Sequence, residues 1–404
     1  MINFKKNTRK LSGQISILLI TEDCVPMVGG VATFLHNICL YSKARLSVLA
    51  LNVKGGGIDG ETPPYPIVRI NLPKHLDVVT LFFILLYEVI TKKPDVIFWG
   101  DYNKLIAVSH LFKTLLHVRV AVLIHGMRLN SSLMVHSLSR FMVHCNLERC
   151  DLILANSHYT RNRILCLGKK IASHKVRVLY PGVDVRKFYP MTRCNAIADE
   201  YGLFGKKIIL TIARLVKKKN HEGVLRIMPD VIKHVPNLMY LIVGGGEERD
   251  ALYGLAGKLG IEKHVLFIES SSLKRCQLLY NTCDVFIMPN KMSYVYVNRN
   301  MAESVETFGM VFCEANACGK PVVGGNNGGV PESIVHGETG LLVDPDNETE
   351  MKNALLKLLL DPALAKRMGA KGRIRVEREF SWERVVDEFD RQMESILLNY
   401  EFVF

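Results

Sequence analysis

Short apolar runs rich in β-branched residues recur along the chain, and between them the apolar positions return every three to four residues. In the first half the runs are 15–20, 46–51, 95–99, 118–124 and 151–155, with helical patterns through 32–41 and 77–91. In the second half they are 207–212, 239–243, 265–268, 284–288 and 321–323. Runs that are apolar at nearly every residue predict strands covered on both faces, as in a parallel sheet between helical layers. Two such series in tandem predict an α/β protein of two doubly wound, Rossmann-like domains facing a cleft. Ligands are then expected at the carboxyl ends of the strands. Turn residues gather between Pro181 and Gly205, which sets the expected domains at 1–190 and 203–380, with a closing segment at 381–404.

Length and charge narrow the class. A chain of 404 residues suffices for two or three domains, and 49% hydrophobic with 23% charged residues excludes a disordered polypeptide. The net charge of +13 is confined to one half: residues 1–200 carry 26 Lys/Arg against 13 Asp/Glu, and residues 201–404 carry 26 of each. Partners attracted by charge are therefore expected on the first half. Ten cysteines are scattered without a C-x-x-C pair, which fits reduced, mostly buried thiols in a cytoplasmic protein better than disulfides or a zinc site. The basic start, 1–10, leads into an expected strand and not into a signal-peptide core. The longest apolar stretch, 78–90, would span about 20 Å as a helix, short of the roughly 30 Å of a bilayer's hydrocarbon. It is expected to be a buried helix, with a helix lying on a membrane surface as the alternative.

The segment 305–323 carries the densest chemistry. Glu306 is expected in a loop and Glu314 inside the helix that follows, with Phe308, Gly309 and Met310 in its first turn. Unpaired backbone amides and the positive end of the dipole make such a terminus a phosphate site, and the two carboxylates could reach hydroxyls on either side of a diphosphate. Two solvated glutamates flanking a capped helix would look the same. Arg214 and Lys219 follow the strand 207–212 in a basic loop, where a guanidinium fork and a compact ammonium suit phosphate oxygens. Gly29 and Gly30 join the first strand to the first helix, and His125 ends the strand 118–124 on the cleft side. Asp344-Pro-Asp346 has the D-x-D form of some metal sites but is expected to be a turn with a helix cap, and Gly244–Gly246 a strand-to-helix turn.

These motifs in this order resemble the retaining glycosyltransferases of family 4, which have the GT-B fold. The resemblance covers roughly residues 15–395. It rests on E-x-F-G…E-A…C-G-K-P-V-V at 306–323, Gly328-Gly-Val-Pro-Glu332, Gly337-Glu-Thr-Gly340, the Arg-Leu-Val…Lys-Asn loop at 214–220, Val178–Asp184 and Phe380-Ser-Trp382. It implies transfer from a nucleoside-diphosphate sugar, UDP- or GDP-linked, with no other cofactor and no tightly held metal. By that likeness Arg214, Lys219 and the amides of Phe308, Gly309, Met310 and Val311 hold the diphosphate, and Glu314 the ribose. Glu306 holds the transferred sugar, Gly29 and Gly30 close over the phosphates, and His125 lies near the reacting sugar. It also implies that the last helix, 382–398, crosses back to the first domain. Three positions depart from the family pattern: Thr307 before Phe-Gly, Glu269-Ser270 after the strand 265–268, and a long stretch between Lys291 and Val305.

The expected function is therefore retaining transfer of a hexose to a lipid-linked or glycan acceptor, by a cytoplasmic protein peripheral on the inner membrane face. The alternative is a soluble transferase making a small glycoside or sugar-phosphate. Lys5, Lys6, Lys104, Lys113 and Arg119 are the expected contacts with an anionic membrane surface. A nucleic-acid partner is not expected, because neither a binding module nor interleaved aromatic and basic residues accompany the charge.

Overall fold

A computed structural model describes residues 14–24, 29–51, 63–72, 77–126, 137–168, 170–269, 272–297 and 300–398. Lys5, Lys6 and the loop 25–28 before Gly29 lie outside them. The first sheet has seven parallel strands. In spatial order they are Ile67–Ile70, Arg45–Leu51, Ser16–Thr21, Val96–Trp99, Arg119–Ile124, Leu152–Ala155 and Val176–Val178. The second has six: Val265–Ile268, Leu238–Val243, Lys207–Ile212, Val285–Met288, Val322–Gly325 and Gly340–Val343. In each sheet the order reverses beside its first strand, so both crevices open where Ser16–Thr21 and Lys207–Ile212 end.

Alternation along the strands builds two cores per sheet. Leu18 and Ile20 join Leu81, Leu85 and Phe112 on one face of the first sheet, and Ile17 and Leu19 join Phe34, Ile38 and Phe389 on the other. In the second sheet Ile208 and Leu210 pack with Phe286 and Phe312, and Ile209 packs with Leu225 and Leu355.

The chain crosses between the two sheets twice. It leaves the first through residues 179–194 and returns at Phe380–Trp382 from the long helix Pro362–Glu379. The crossings lie side by side: Val183 bridges Ser381, and the Val183 amide donates to Phe380 O at 2.7 Å. The last helix, Trp382–Leu398, then covers the first sheet. Trp382 meets Phe34 edge-on at 5.6 Å, and Phe389 lies 5.2 Å from Phe98. Asp390 accepts the Ser42 hydroxyl and the Lys43 amide at 2.5 and 2.9 Å.

Several expectations need correction. The helix Asp77–Lys92 is not buried all round. Leu81, Leu85 and Val89 face the core, while Phe83, Tyr87 and Ile90 are about two-thirds exposed, at 63%, 66% and 59%. The strands Ile67–Ile70, Val176–Val178 and Gly340–Val343 were not foreseen, being strands of only three or four residues at sheet edges. The long stretch after Lys291 is an antiparallel hairpin, Ser293–Val297 with Asn300–Ser304, belonging to neither large sheet. Of the basic residues expected to meet a membrane, Lys113 and Arg119 are turned onto Asp151, at 3.0 and 3.2 Å. All ten cysteines are free thiols; Cys24, Cys150, Cys283, Cys313 and Cys318 are buried, and Cys166 is exposed.

Candidate active site

Three segments of the second sheet meet at its crevice. After strand Lys207–Ile212, exposed Arg214 is followed by a tight turn, Lys217–Lys219, which Asn220 ends in the left-handed conformation. Asn220 is buried: its side chain caps the next helix at Gly223 N and donates to Pro345 O at 2.9 Å. That anchoring aims Lys219 inward, and its Nζ lies 2.5 Å from Glu306 Oε2. Lys218 is also turned inward, donating to Val305 O at 3.4 Å. Burial alone would raise the Glu306 carboxyl, but Lys219, Lys218 and Arg214 outweigh it and hold the group below its ordinary range. Burial lowers Lys218, with Glu306 opposing.

The helix Met310–Ala317 starts two residues later than expected. Gly309 is its N-cap, at φ +91°, where a Cβ would meet the Phe312 ring at 2.6 Å. The first amides of the helix therefore open directly onto the Glu306 loop. Phe308 does not face that opening: it is buried between Tyr180 and Phe380, at 5.3 and 5.4 Å. Its place is to fix the loop. Glu314, further along the helix, accepts the Tyr280 hydroxyl at 2.8 Å, and its pKa is raised by burial, with that hydrogen bond opposing.

The first domain meets this site directly. Gly30 opens the helix Gly30–Tyr41, and a Cβ built on it would lie 3.7 Å from Met310 Sδ. Gly29 is extended, with nothing within 4 Å of its would-be Cβ. Thr307 crosses the cleft: its hydroxyl donates to His125 O at 3.1 Å and accepts from Asn156 Nδ2 at 2.9 Å. Its methyl fills the space beside Gly126, whose φ of +91° and lack of a Cβ admit it. The His125 ring packs edge-on to Phe34 at 5.6 Å. Glu332 accepts the His158 and Tyr159 amides at the start of the helix His158–Leu165.

Residues 28–187 match the family described as Glycosyltransferase Family 4, and residues 196–375 match Glycosyl transferases group 1. The chain belongs to the family-4 glycosyltransferases. Over 363 residues, 88% of this chain and 92% of the other, it is 29% identical to a GDP-mannose-dependent alpha-(1-6)-phosphatidylinositol monomannoside mannosyltransferase of Mycolicibacterium smegmatis. It is 28% identical, over 92% of its length and 96% of the relative's, to a monoacylated-substrate counterpart of Corynebacterium glutamicum. Among solved structures, Anabaena HepE in complex with UDP superposes with a TM-score of 0.78 at 18% identity, covering 94% of this chain and 100% of that one. A Rickettsia africae glycosyltransferase gives 0.79 at 18%, covering 96% and 99%. The fold is GT-B.

In this glycosyltransferase Arg214, Lys219, Glu306, Gly309, Met310, Gly30 and His125 are thus gathered at one crevice. Glu314 lies a turn and a half along the helix, and Val311 packs partly into the second core. Four further residues at this crevice were given no individual role by the sequence: Lys218, Asn156 and Glu332, which lie within its motifs, and Tyr280, which does not. Asp344 and Asp346 form a turn, with Asp344 accepting the Asp346 amide at 3.0 Å, and Asn347 caps the helix Glu348–Leu360. The Gly244–Gly246 turn brackets Arg214, through Leu215 N to Gly245 O at 2.9 Å.

Proposed function

We propose that the protein transfers a hexose, with retention of the anomeric configuration, from a UDP- or GDP-hexose to a lipid-linked or glycan acceptor at the cytoplasmic membrane face. The observation that carries this is the partly buried Lys219–Glu306 pair, set between Arg214, Lys218 and the start of the helix Met310–Ala317. Negative charge grows on a diphosphate as its bond to the sugar breaks, and fixed cations with helix amides stabilise it most at that moment. Arg214, Lys219 and the amides from Phe308 to Val311 take that role, with Gly29 and Gly30 closing from the other domain. Glu314 orients the ribose. Glu306, once Lys219 turns to phosphate, binds hydroxyls of the hexose, and His125 borders the reacting carbon. The positive charge comes from side chains, so no metal ion is assigned a role. Departure and attack on one face of the sugar keep its configuration, so neither glutamate is required as a covalent nucleophile.

The relatives named above use GDP-mannose and a phosphatidylinositol-based acceptor, which supports a glycolipid acceptor here. The apolar outer face of Asp77–Lys92 supports a peripheral membrane place, together with Leu111 and Leu115 on the neighbouring helix Ile106–Leu116. No described helix is long and apolar enough to cross a membrane.

The test is a panel of UDP- and GDP-hexoses scored by the rise in melting temperature, followed by transfer to phosphatidylinositol glycolipids in anionic vesicles. GDP-mannose is expected to give the largest rise. No shift with any member would overturn the proposal. Transfer to free sugar-phosphates but not to vesicle lipid would favour the soluble alternative.

A further inference from the structure

Between the strand Val285–Met288 and Glu306 the chain makes the hairpin Ser293–Val297 with Asn300–Ser304. Directly opposed residues of an antiparallel pair share a face, and successive residues alternate. The register Tyr294↔Glu303 and Tyr296↔Met301 therefore puts Tyr294, Tyr296, Met301 and Glu303 together on one face. Glu303 shows where that face looks. Its carboxylate lies 3.0 Å from Arg163 Nη1, on the first-domain helix His158–Leu165. The aromatic face is thus turned across the cleft, yet Tyr296 is 81% exposed, Tyr294 57% and Met301 54%. The root of the hairpin is held at the site itself, since Val305 accepts from Lys218 and Glu306 pairs with Lys219.

We propose that Tyr294 and Tyr296 form a stacking platform for the acceptor, taking the apolar C–H face of a pyranose or cyclitol ring on the hairpin that leads into Glu306. This rests on the transferase reading above. Such rings are amphipathic: axial C–H groups make an apolar face, and hydroxyls project from the rim. An aromatic ring matches the face, and a phenol hydroxyl matches the rim. A bilayer fits this face poorly, because it looks into the cleft, where Glu303 is paired with Arg163. A small neutral polyol does not meet that objection.

The test uses the full chain, with methyl α-D-mannopyranoside and myo-inositol as probes, in saturation-transfer difference NMR. Wild type is expected to transfer magnetisation to ring C–H protons. Tyr294→Ala/Tyr296→Ala should reduce that signal roughly fivefold or more, while GDP and UDP raise the melting temperature of both proteins equally. Tyr294→Phe/Tyr296→Phe keeps the rings and is expected to keep the signal. Equal signal in wild type and the alanine variant, or none in either, overturns the platform, as does loss in the phenylalanine variant. Loss of vesicle retention in the alanine variant with unchanged ring contact would also overturn it, assigning the hairpin to a bilayer. Failure of the nucleotides to shift melting in wild type would count against the donor reading alone, because ring contact is measured without donor.

Discussion

The Glu332 carboxylate of the second domain accepts two backbone amides of the first, His158 N at 2.6 Å and Tyr159 N at 2.7 Å. A carboxylate at a helix N-terminus satisfies donors the helix cannot and meets the positive end of its dipole. Here the helix and its cap belong to different domains, so the interaction exists only when the cleft has its present shape. Glu332→Ala is expected to lower stability by about 1–3 kcal/mol and to broaden interdomain distances measured by small-angle scattering. Glu332→Gln should fall between. Unchanged scattering and unchanged melting in both variants would refute the interdomain role.

Thr307 is a second tie of this kind. Thr307→Val keeps the shape that fits beside Gly126 but removes the hydroxyl, leaving the buried Asn156 amide short of an acceptor. A cost of about 1–3 kcal/mol is expected in urea unfolding. Combination with Glu332→Ala tests whether the two ties open together, since residues acting on one opening give non-additive losses.

Glu306 and Lys219 should separate binding from transfer. Glu306→Gln leaves three cations without their carboxylate, so its melting temperature should fall and recover in phosphate buffer. Affinity for GDP or UDP is expected to hold or rise, while sugar transfer drops by about a hundredfold or more. Lys219→Ala should weaken both. A Glu306→Gln protein that lost nucleotide affinity as severely as Lys219→Ala would contradict the assigned roles.

How much of this was legible in the sequence depends on where each residue finds its partner. Strands such as Arg119–Ile124 were readable because both faces are buried, so every residue after Arg119 is apolar. Edge strand Ile67–Ile70 was not, since it is covered only in part. In Lys217-Lys-Lys219 three identical side chains stand in a row, and only the turn ended by Asn220 sends Lys218 and Lys219 inward and Lys217 out. Glu306 and Glu314 could be found from motif spacing, because one loop and helix carry both. Thr307 and Glu332 stood out in the sequence too, but their contacts could not be read: their partners lie 151 and 173–174 residues away, a pairing set by the domain arrangement.

Acid should destabilise the protein partly through His221. This side chain is buried, and burial, with Lys219 adding to it, pushes its pKa down to about 4. The unfolded chain takes up a proton near pH 6.5, which the folded protein refuses until about pH 4, so stability is lost as pH falls across that window. The loss amounts to at most about 3 kcal/mol. His221→Gln is expected to flatten urea-unfolding stability between pH 6.5 and 4 relative to wild type; parallel profiles would sink the attribution.

Vesicle retention offers a further check. Phe83→Ser with Tyr87→Ser and Leu115→Ser should reduce sedimentation with anionic vesicles severalfold, since each removes about 1–2 kcal/mol of apolar contact. Nucleotide-induced stabilisation should be unchanged. Retention equal to wild type would move the membrane contact elsewhere on the molecule.

The paired crossings at Val183 and Ser381 restrict how the two halves move. Two chain segments fastened to each other act as the knuckles of one hinge, so the domains swing about a line and do not slide past one another. Travel then grows with distance from that line. The ties at Thr307, Glu332 and Glu303 would part in the order of their distance from it, making the opening of the cleft a sequence of releases in place of a single break.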